Sequence, residues 1–137
     1  MSTQSTSAYR APRWLRNPHL QTLLGSSPAR VKRGARELHK LGAVHAEHLI
    51  DAGSDIQLHG VHSTLPGRPP RGFALLLHGW EGSAESGYMR LTCARLLERC
   101  FDVFRLNFRD HGDTHHLNED LFHSNRLDEV LQALAAA

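Results

Sequence analysis

The stretch 78–83 is the part of the sequence whose residue types and position favour catalysis most clearly. It contains His78, Gly79, Trp80 and Ser83 and follows directly after residues 73–77, an unbroken apolar run. Glycines placed directly after a buried strand let the backbone turn tightly and leave N–H groups pointing into an open site, where acyl-transfer enzymes stabilise an oxyanion. An ordinary turn between a strand and a helix is the alternative. A phosphate-binding loop is disfavoured because neither G-x-G-x-x-G nor a Gly-Lys-Ser/Thr ending is present.

A second polar stretch, residues 107–116, is dense in histidine and aspartate. A metal site would draw on His111, Asp113, His115 and His116. Their spacing matches neither H-E-x-x-H nor a C-x-x-C site. The sequence therefore predicts the polar rim of an active site or a solvated loop, with the metal protein as a weaker alternative. No cofactor is expected.

The elements that must position these two loops alternate between strands and a helix. Residues 44–50 and 56–61 flank a cluster of turn-forming residues and are predicted to form a β-hairpin with one face buried. Residues 73–77 are predicted to be a strand buried on both faces, as in the interior of a parallel sheet. Residues 102–108 are predicted to be a second interior strand.

An amphipathic helix is predicted between these two strands because its apolar residues recur at helical spacing. They are Met89, Cys93, Leu96, Leu97 and Cys100. A strand, helix and strand in succession place the two strands parallel. The predicted fold class is therefore α/β with a mixed sheet, an antiparallel hairpin followed by a βαβ unit.

The last predicted helix has an apolar face and a candidate cap at Ser124 or Asn125. The face consists of Leu127, Val130, Leu131 and Leu134. The helix runs into three alanines without a C-terminal glycine, and no strand follows it. We therefore expect a chain that stops partway through its domain.

Charge is unevenly distributed along the 137 residues. The first 36 residues carry seven basic side chains and no acidic one, although the net charge of the whole chain is only +2. Such a segment could contact nucleic acid, a membrane surface or a targeting receptor. The apolar side chains of Trp14, Leu15 and Leu20 within it favour a segment that packs on the domain instead.

The two cysteines, Cys93 and Cys100, are predicted to lie in one helix, about 10 Å apart along its axis. That separation exceeds the reach of a disulfide, so both thiols are expected to be reduced. We therefore expect a cytoplasmic protein. The sequence also has no run of ~18 apolar residues that could span a membrane, so no transmembrane segment is expected.

Taken together and in this order, several short motifs resemble the YheT-like (AB-hydrolase type 4) branch of the α/β-hydrolase superfamily. The resemblance extends over roughly residues 12–137. The motifs are W-L-R-N-P-H-L-Q-T-L at 14–23, L-L-L-H-G-W-E-G-S at 75–83, Tyr88, N-F-R-D-H-G-D at 107–113 and F-H-S at 122–124.

The resemblance implies a serine hydrolase that acts on carboxylesters or acylglycerols, and it implies roles for individual residues. His78, Gly79 and Trp80 match the oxyanion loop of the family, with the Trp80 backbone N–H as one donor. The loop after the fourth strand, which shapes the substrate rim, is matched by Asn107, Arg109, His111 and Gly112. Asp110 and Asn125 stand where the family usually has glycine. Both residue types tolerate positive φ better than other non-glycine residues.

The family's nucleophile lies in a G-x-S-x-G elbow on the next strand, and no such motif occurs in this sequence. The resemblance thus implies the N-terminal half of the fold, with residues 1–43 as a basic segment packed on a partial domain, 44–137. It also implies that residues 73–77 form an exposed sheet edge. We predict an inactive fragment of a serine esterase. The alternative is a small α/β module that binds nucleic acid or an acidic partner through its basic segment.

Overall fold

The fold is taken from a computed structural model that describes residues 10–25, 27–119, 121–122 and 126–136. His123, Ser124 and Asn125, and with them the predicted helix cap, lie outside the described residues. The chain forms a short 3₁₀ turn (Arg13–Leu15) followed by α1 (Pro18–Gly25), α2 (Pro28–Lys40), β1 (Val44–Asp51), β2 (Gln57–Thr64), β3 (Gly72–Leu77), α3 (Gly87–Glu98), β4 (Phe101–Leu106) and α4 (Leu127–Ala136).

The four strands make one mixed sheet in the order β1-β2-β4-β3. β2 pairs antiparallel with both β1 and β4, whereas β3 and β4 run parallel. The predicted hairpin, βαβ unit and α/β class are confirmed. In the parallel pair Leu77 lies opposite Leu106, so the carboxyl ends of both strands lie side by side.

The apolar strand β3 lies at the edge of the sheet, as the family's strand order implied. The prediction that it is buried on both faces is wrong, because none of its residues is buried and two of them are exposed. Phe73 is 49% exposed and Leu77 is 40% exposed. An unbroken apolar run shows that both faces of a strand are suited to burial. Whether they are buried depends on which other elements pack against them.

Helix α3 packs on the sheet through the predicted apolar face, and Met89, Cys93 and Leu97 are buried. It ends at Glu98, two residues before Cys100, so the prediction that both cysteines lie in one helix is wrong. Cys100 has a φ of +63°, and its N–H donates to the Leu97 carbonyl at 2.9 Å. The thiol of Cys93 is fully buried, and burial raises its pKa.

Helix α2 covers α3 at a close contact made possible by Gly34. A Cβ at that position would lie 2.6 Å from the Cβ of Arg90. Leu38 of α2 is buried in the same cluster as Val103, whereas α1 buries none of its residues. None of the helices in the described ranges has the length and the apolar composition of a membrane-spanning segment.

Helix α4 packs on the other face of the sheet with only part of the predicted apolar side, since Val130 is buried and the three predicted leucines are exposed. Val130 and Ala133 are buried against the sheet, together with the carboxylate-bearing Glu129. Leu127 and Leu131, which were predicted to face the core, are 61% and 58% exposed. The reason is an ion pair, described below, that fixes the rotation of the helix about its axis.

Candidate functional site

Two loops meet at the carboxyl ends of β3 and β4. The first, residues 78–86, connects β3 to α3, and the second begins at residue 107 after β4. The carboxyl ends of parallel strands are where α/β folds place their ligands. Both motifs that the sequence singled out therefore lie at one edge of the sheet.

The side chain of His78 joins the two loops and is almost completely buried, with 4% of its surface exposed. Its Nε2 accepts a hydrogen bond from the Phe108 N–H at 3.1 Å. The ring nitrogen Nδ1 lies 2.9 Å from the Gly79 carbonyl oxygen. Because a backbone N–H can only donate, Nε2 is unprotonated and Nδ1 carries the proton. Burial lowers the pKa of His78 and outweighs the hydrogen bond to the Gly79 carbonyl, which raises it. The lowered pKa favours this neutral form.

A tight turn follows His78 and leaves one backbone donor without a partner. The Gly82 N–H donates to the Gly79 carbonyl at 2.9 Å, and Glu81 at the third position has a φ of +52°. The Gly79 N–H is occupied, because it donates to the Tyr88 hydroxyl at 2.7 Å. The N–H of Trp80 has no hydrogen-bond partner in the described part of the chain. Its indole is exposed.

Gly82 closes this turn against Tyr88, and a larger residue would not fit. A Cβ at position 82 would lie 2.7 Å from the Tyr88 hydroxyl oxygen and 2.9 Å from the Gly79 carbonyl oxygen. Contacts of this length force the neighbouring groups to move. The glycine therefore permits the hydroxyl to reach the Gly79 N–H and so helps to fix the turn.

Asn107 fastens the second loop to the first. Its Oδ1 accepts from the Ala84 N–H at 2.6 Å, and its Nδ2 lies 3.0 Å from Nδ1 of His59. The side chain is buried. Gly112 has a φ of +69°, and a Cβ there would lie 3.1 Å from the Asn107 amide nitrogen. Asn107 is buried, whereas Gly112 is exposed on the loop. Their place on a substrate rim stays a prediction.

Arg109 lies away from the open edge of the site, with a buried guanidinium group. Its Nη2 donates to Oε1 of Glu129 at 2.7 Å, and both side chains are under a tenth exposed. Arg126 also contacts Glu129, at 3.1 Å. This pairing holds α4 against the sheet. The Arg109 guanidinium group thus pairs with Glu129, and only the backbone carbonyl of Arg109 contacts His111.

Aromatic rings form an apolar wall beside the turn. Phe122 lies 6.3 Å from Trp80, 5.4 Å from Phe108 and 4.7 Å from His111, measured between ring centroids. The His111 ring is also 4.9 Å from that of His78. The sequence reasoning assigned no role to Phe108 or Phe122. The sequence did contain an indication of such a role, because both are aromatic residues next to the polar loops.

The histidine-rich stretch after β4 does not assemble a metal site. No group of three or more histidine, cysteine, aspartate or glutamate side chains within the described ranges is placed to hold an ion. His111 instead directs Nδ1 to the Arg109 carbonyl at 2.9 Å, and His115 contacts the carboxylate of Asp110. Asp110 has a φ of +59°, the conformation expected where the family has glycine.

Comparison with known proteins identifies the fold. No family model matches the sequence, and no curated protein matches it either. Among solved structures, the chain is similar to XC6422 from Xanthomonas campestris, described as an α/β serine hydrolase without a lid. The identity is 22%, the TM-score is 0.52, and the match covers 67% of this chain and 41% of that one.

A second similar structure is that of a membrane phospholipase A described as a bacterial virulence factor, with 17% identity and a TM-score of 0.50. The match covers 86% of this chain and 36% of the phospholipase. The chain thus spans less than half the length of either neighbour. It has part of the α/β-hydrolase fold.

Proposed function

We propose that this chain forms the oxyanion-loop side of an ester-hydrolysing active site in a serine hydrolase of the YheT-like branch. The observation that supports it is the Trp80 N–H, a backbone donor with no partner in the described part of the chain. The turn that carries this donor is held by hydrogen bonds of the Gly82 N–H, the Tyr88 hydroxyl and the His78 ring. A donor of this kind stabilises the negative charge that develops on an ester carbonyl oxygen. The aromatic wall beside it would contact the acyl chain.

The other residues of the loop position this donor. His78 is not the catalytic base in this proposal, because both of its ring nitrogens bind backbone groups. Gly79 is not a second donor, since the Tyr88 hydroxyl occupies its N–H. The roles of Asn107 and Gly112 are likewise supporting.

The nucleophile, its base and the acid that orients it have no counterpart at the family's positions in this sequence. In the complete reaction, a serine hydroxyl attacks the ester carbonyl while a histidine accepts its proton. The carbonyl oxygen then carries the charge that the Trp80 N–H would bind. Short-chain carboxylesters and acylglycerols are the proposed substrates, and the 137 residues alone are proposed to be inactive. A cytoplasmic location and the boundary at residue 43 stay predictions.

The inactivity is tested with p-nitrophenyl butyrate and a fluorophosphonate probe on the purified chain. We expect no hydrolysis above the rate in buffer and no labelled serine. Turnover that the probe abolishes would show a nucleophile on these residues and overturn this part of the proposal.

The oxyanion donor is tested separately by ¹H–¹⁵N NMR with butylphosphonate, a tetrahedral anion with a short alkyl chain. We expect a saturable downfield shift of the Trp80 amide proton and little change at Gly79. In a Tyr88→Phe variant, which frees the Gly79 N–H, both amides should respond. A Trp80 amide that does not move while other residues saturate would refute the assignment.

A further inference from the structure

The 3₁₀ turn and α1, far along the chain from the two loops of the candidate site, leave large apolar side chains in solvent. Trp14 is 68% exposed and Leu23 is 71% exposed. Leu20 and Leu24 are exposed as well, and their spacing places them on the same face of α1 as Leu23. Helix α1 has no lysine, arginine, aspartate or glutamate. Exposed apolar side chains gathered in this way mark a surface that binds a partner.

Hydrogen bonds attach this apolar cluster to the folded domain. The Gln21 side-chain amide donates to the Leu15 carbonyl and so joins the 3₁₀ turn to α1. The Ser27 hydroxyl donates to the Leu24 carbonyl at 2.9 Å, and Ser27 directly precedes α2. Helix α2 packs closely on α3 at Gly34. The exposed leucines therefore have a defined position relative to the basic side chains of α2.

Unpaired basic groups lie beside the apolar cluster. Trp14 and Leu24 share one groove, of about 620 Å³, with Arg30 and Arg33 of α2. Neither of these two arginines forms an ion pair within the described ranges. The third arginine of the groove, Arg95, is neutralised by an ion pair within α3. Two free guanidinium groups thus share a groove with the exposed indole.

The charge of the surrounding segment has a single sign. Among residues 1–36 there are seven basic side chains and no acidic one. All seven are exposed, namely Arg10, Arg13, Arg16, Arg30, Lys32, Arg33 and Arg36. Leucine and tryptophan enter the boundary between head groups and acyl chains, whereas basic side chains stay at anionic head groups. The combination therefore complements an anionic lipid bilayer in both charge and polarity.

We propose that this part of the chain binds the surface of an anionic lipid bilayer and lies in the interface without crossing it. The lipid-binding surface consists of Trp14, Leu20, Leu23, Leu24, Arg30 and Arg33. Nucleic acid fits it less well, because three leucines neither stack on bases nor form hydrogen bonds with them. The inference does not depend on the proposed hydrolase function.

Binding is tested by cosedimentation of the complete chain with two kinds of vesicle, phosphatidylcholine alone and phosphatidylcholine with about 30% phosphatidylserine. We expect saturable binding to the mixed vesicles and at least about tenfold weaker binding to the neutral ones. Equal binding to both would overturn the role of the charge. Absence of binding to the mixed vesicles would overturn the whole proposal.

The depth of insertion is read from tryptophan fluorescence. The sequence has two tryptophans, so a Trp80→Phe variant leaves Trp14 as the single indole. On the mixed vesicles its emission should shift to the blue and be quenched by brominated acyl chains, because the indole leaves water for the acyl boundary. A Trp14 emission that does not change on binding would refute insertion.

The arginines are tested with a matched loss of charge. Arg30→Gln combined with Arg33→Gln should weaken binding to the mixed vesicles by at least about tenfold, since each basic group near the membrane contributes to the affinity. Arg68→Gln combined with Arg71→Gln removes the same charge from an exposed loop and should weaken binding by about twofold or less. Equal effects of the two double variants would show that net charge alone drives binding and would refute the surface.

The leucines are tested in the same manner. Leu23→Ser should weaken binding by about tenfold, because a leucine no longer leaves water. Leu131→Ser makes the same change at an exposed position of α4 and should leave binding unchanged. Thermal unfolding confirms that all variants are folded. A folded Leu23→Ser variant with unchanged binding, or a short DNA duplex that binds more tightly than the mixed vesicles, would overturn the proposal.

Discussion

Replacing His78 by phenylalanine is expected to destabilise the fold by about 2 kcal/mol, because the imidazole holds the two loops together by hydrogen bonds. The phenyl ring preserves the volume and the contact with Phe108, whose ring lies 4.7 Å from that of His78. It removes the bond to the Gly79 carbonyl, worth about 1 kcal/mol. It also leaves the Phe108 N–H without its acceptor, which costs about 1 kcal/mol at a half-buried position.

The destabilisation is measured by urea unfolding at pH 7.5 and by thermal unfolding, where the midpoint should fall by about 6 °C. Hydrogen exchange of the Phe108 amide should accelerate, since the bond that protects it is lost. A His116→Phe variant is the control, because it replaces an exposed histidine of the same loop and should change stability little. Unchanged stability and exchange in the His78→Phe variant would refute the bridge between the loops.

The same variant should weaken the dependence of stability on pH. Burial lowers the pKa of His78 below its ordinary value of 6.5, so the unfolded chain binds the proton more readily than the folded chain does. The contribution of His78 is therefore complete above pH 6.5 and is lost as the pH falls through the folded-state pKa. His45 acts in the same direction, so the variant should keep part of the slope. If the free energy of unfolding depends on pH as steeply in the variant as in the unmodified protein, the lowered pKa of His78 is contradicted.

Gly82→Ala places a Cβ against the Tyr88 hydroxyl and should lower the free energy of unfolding by about 2 kcal/mol. A Tyr88→Phe background should reduce that loss in urea titrations, and an equal loss in both backgrounds would contradict the clash. Cys93 should react with a disulfide reagent at least about tenfold more slowly than Cys100 in the folded chain, because Cys93 is fully buried. Equal rates would show that α3 opens readily. Phe73→Lys should raise the concentration at which light scattering begins, since charge on an edge strand opposes pairing between molecules, and no change would place the aggregating surface elsewhere.

Local pattern was sufficient to predict the strands and the crossover helix. The apolar run of β3 and the helical spacing of Met89, Cys93 and Leu97 depend on the sequence nearby, and both were found. The end of α3 was missed, because Cys100 adopts a left-handed conformation that the apolar spacing does not encode. Motif order also located the two loops that meet at the sheet edge.

Such local patterns could not predict which charged residues pair over long distances in the sequence. Helix α4 is turned so that Glu129 meets Arg109, twenty residues away, and its leucines therefore face outward. Arg105, likewise, looks like a surface residue in the sequence, yet in the fold it lies beneath a loop that it supports. Which basic residue finds which acidic partner depends on the assembled chain.

The exposed edge of β3 makes the sheet a template for a strand supplied from another molecule. Its outer backbone groups face no other described strand, and Phe73 and Leu77 are accessible beside them. A separately expressed polypeptide with a matching apolar strand could hydrogen-bond along this edge. Addition of such a strand would extend the sheet beyond β3 and protect its outer amides from hydrogen exchange.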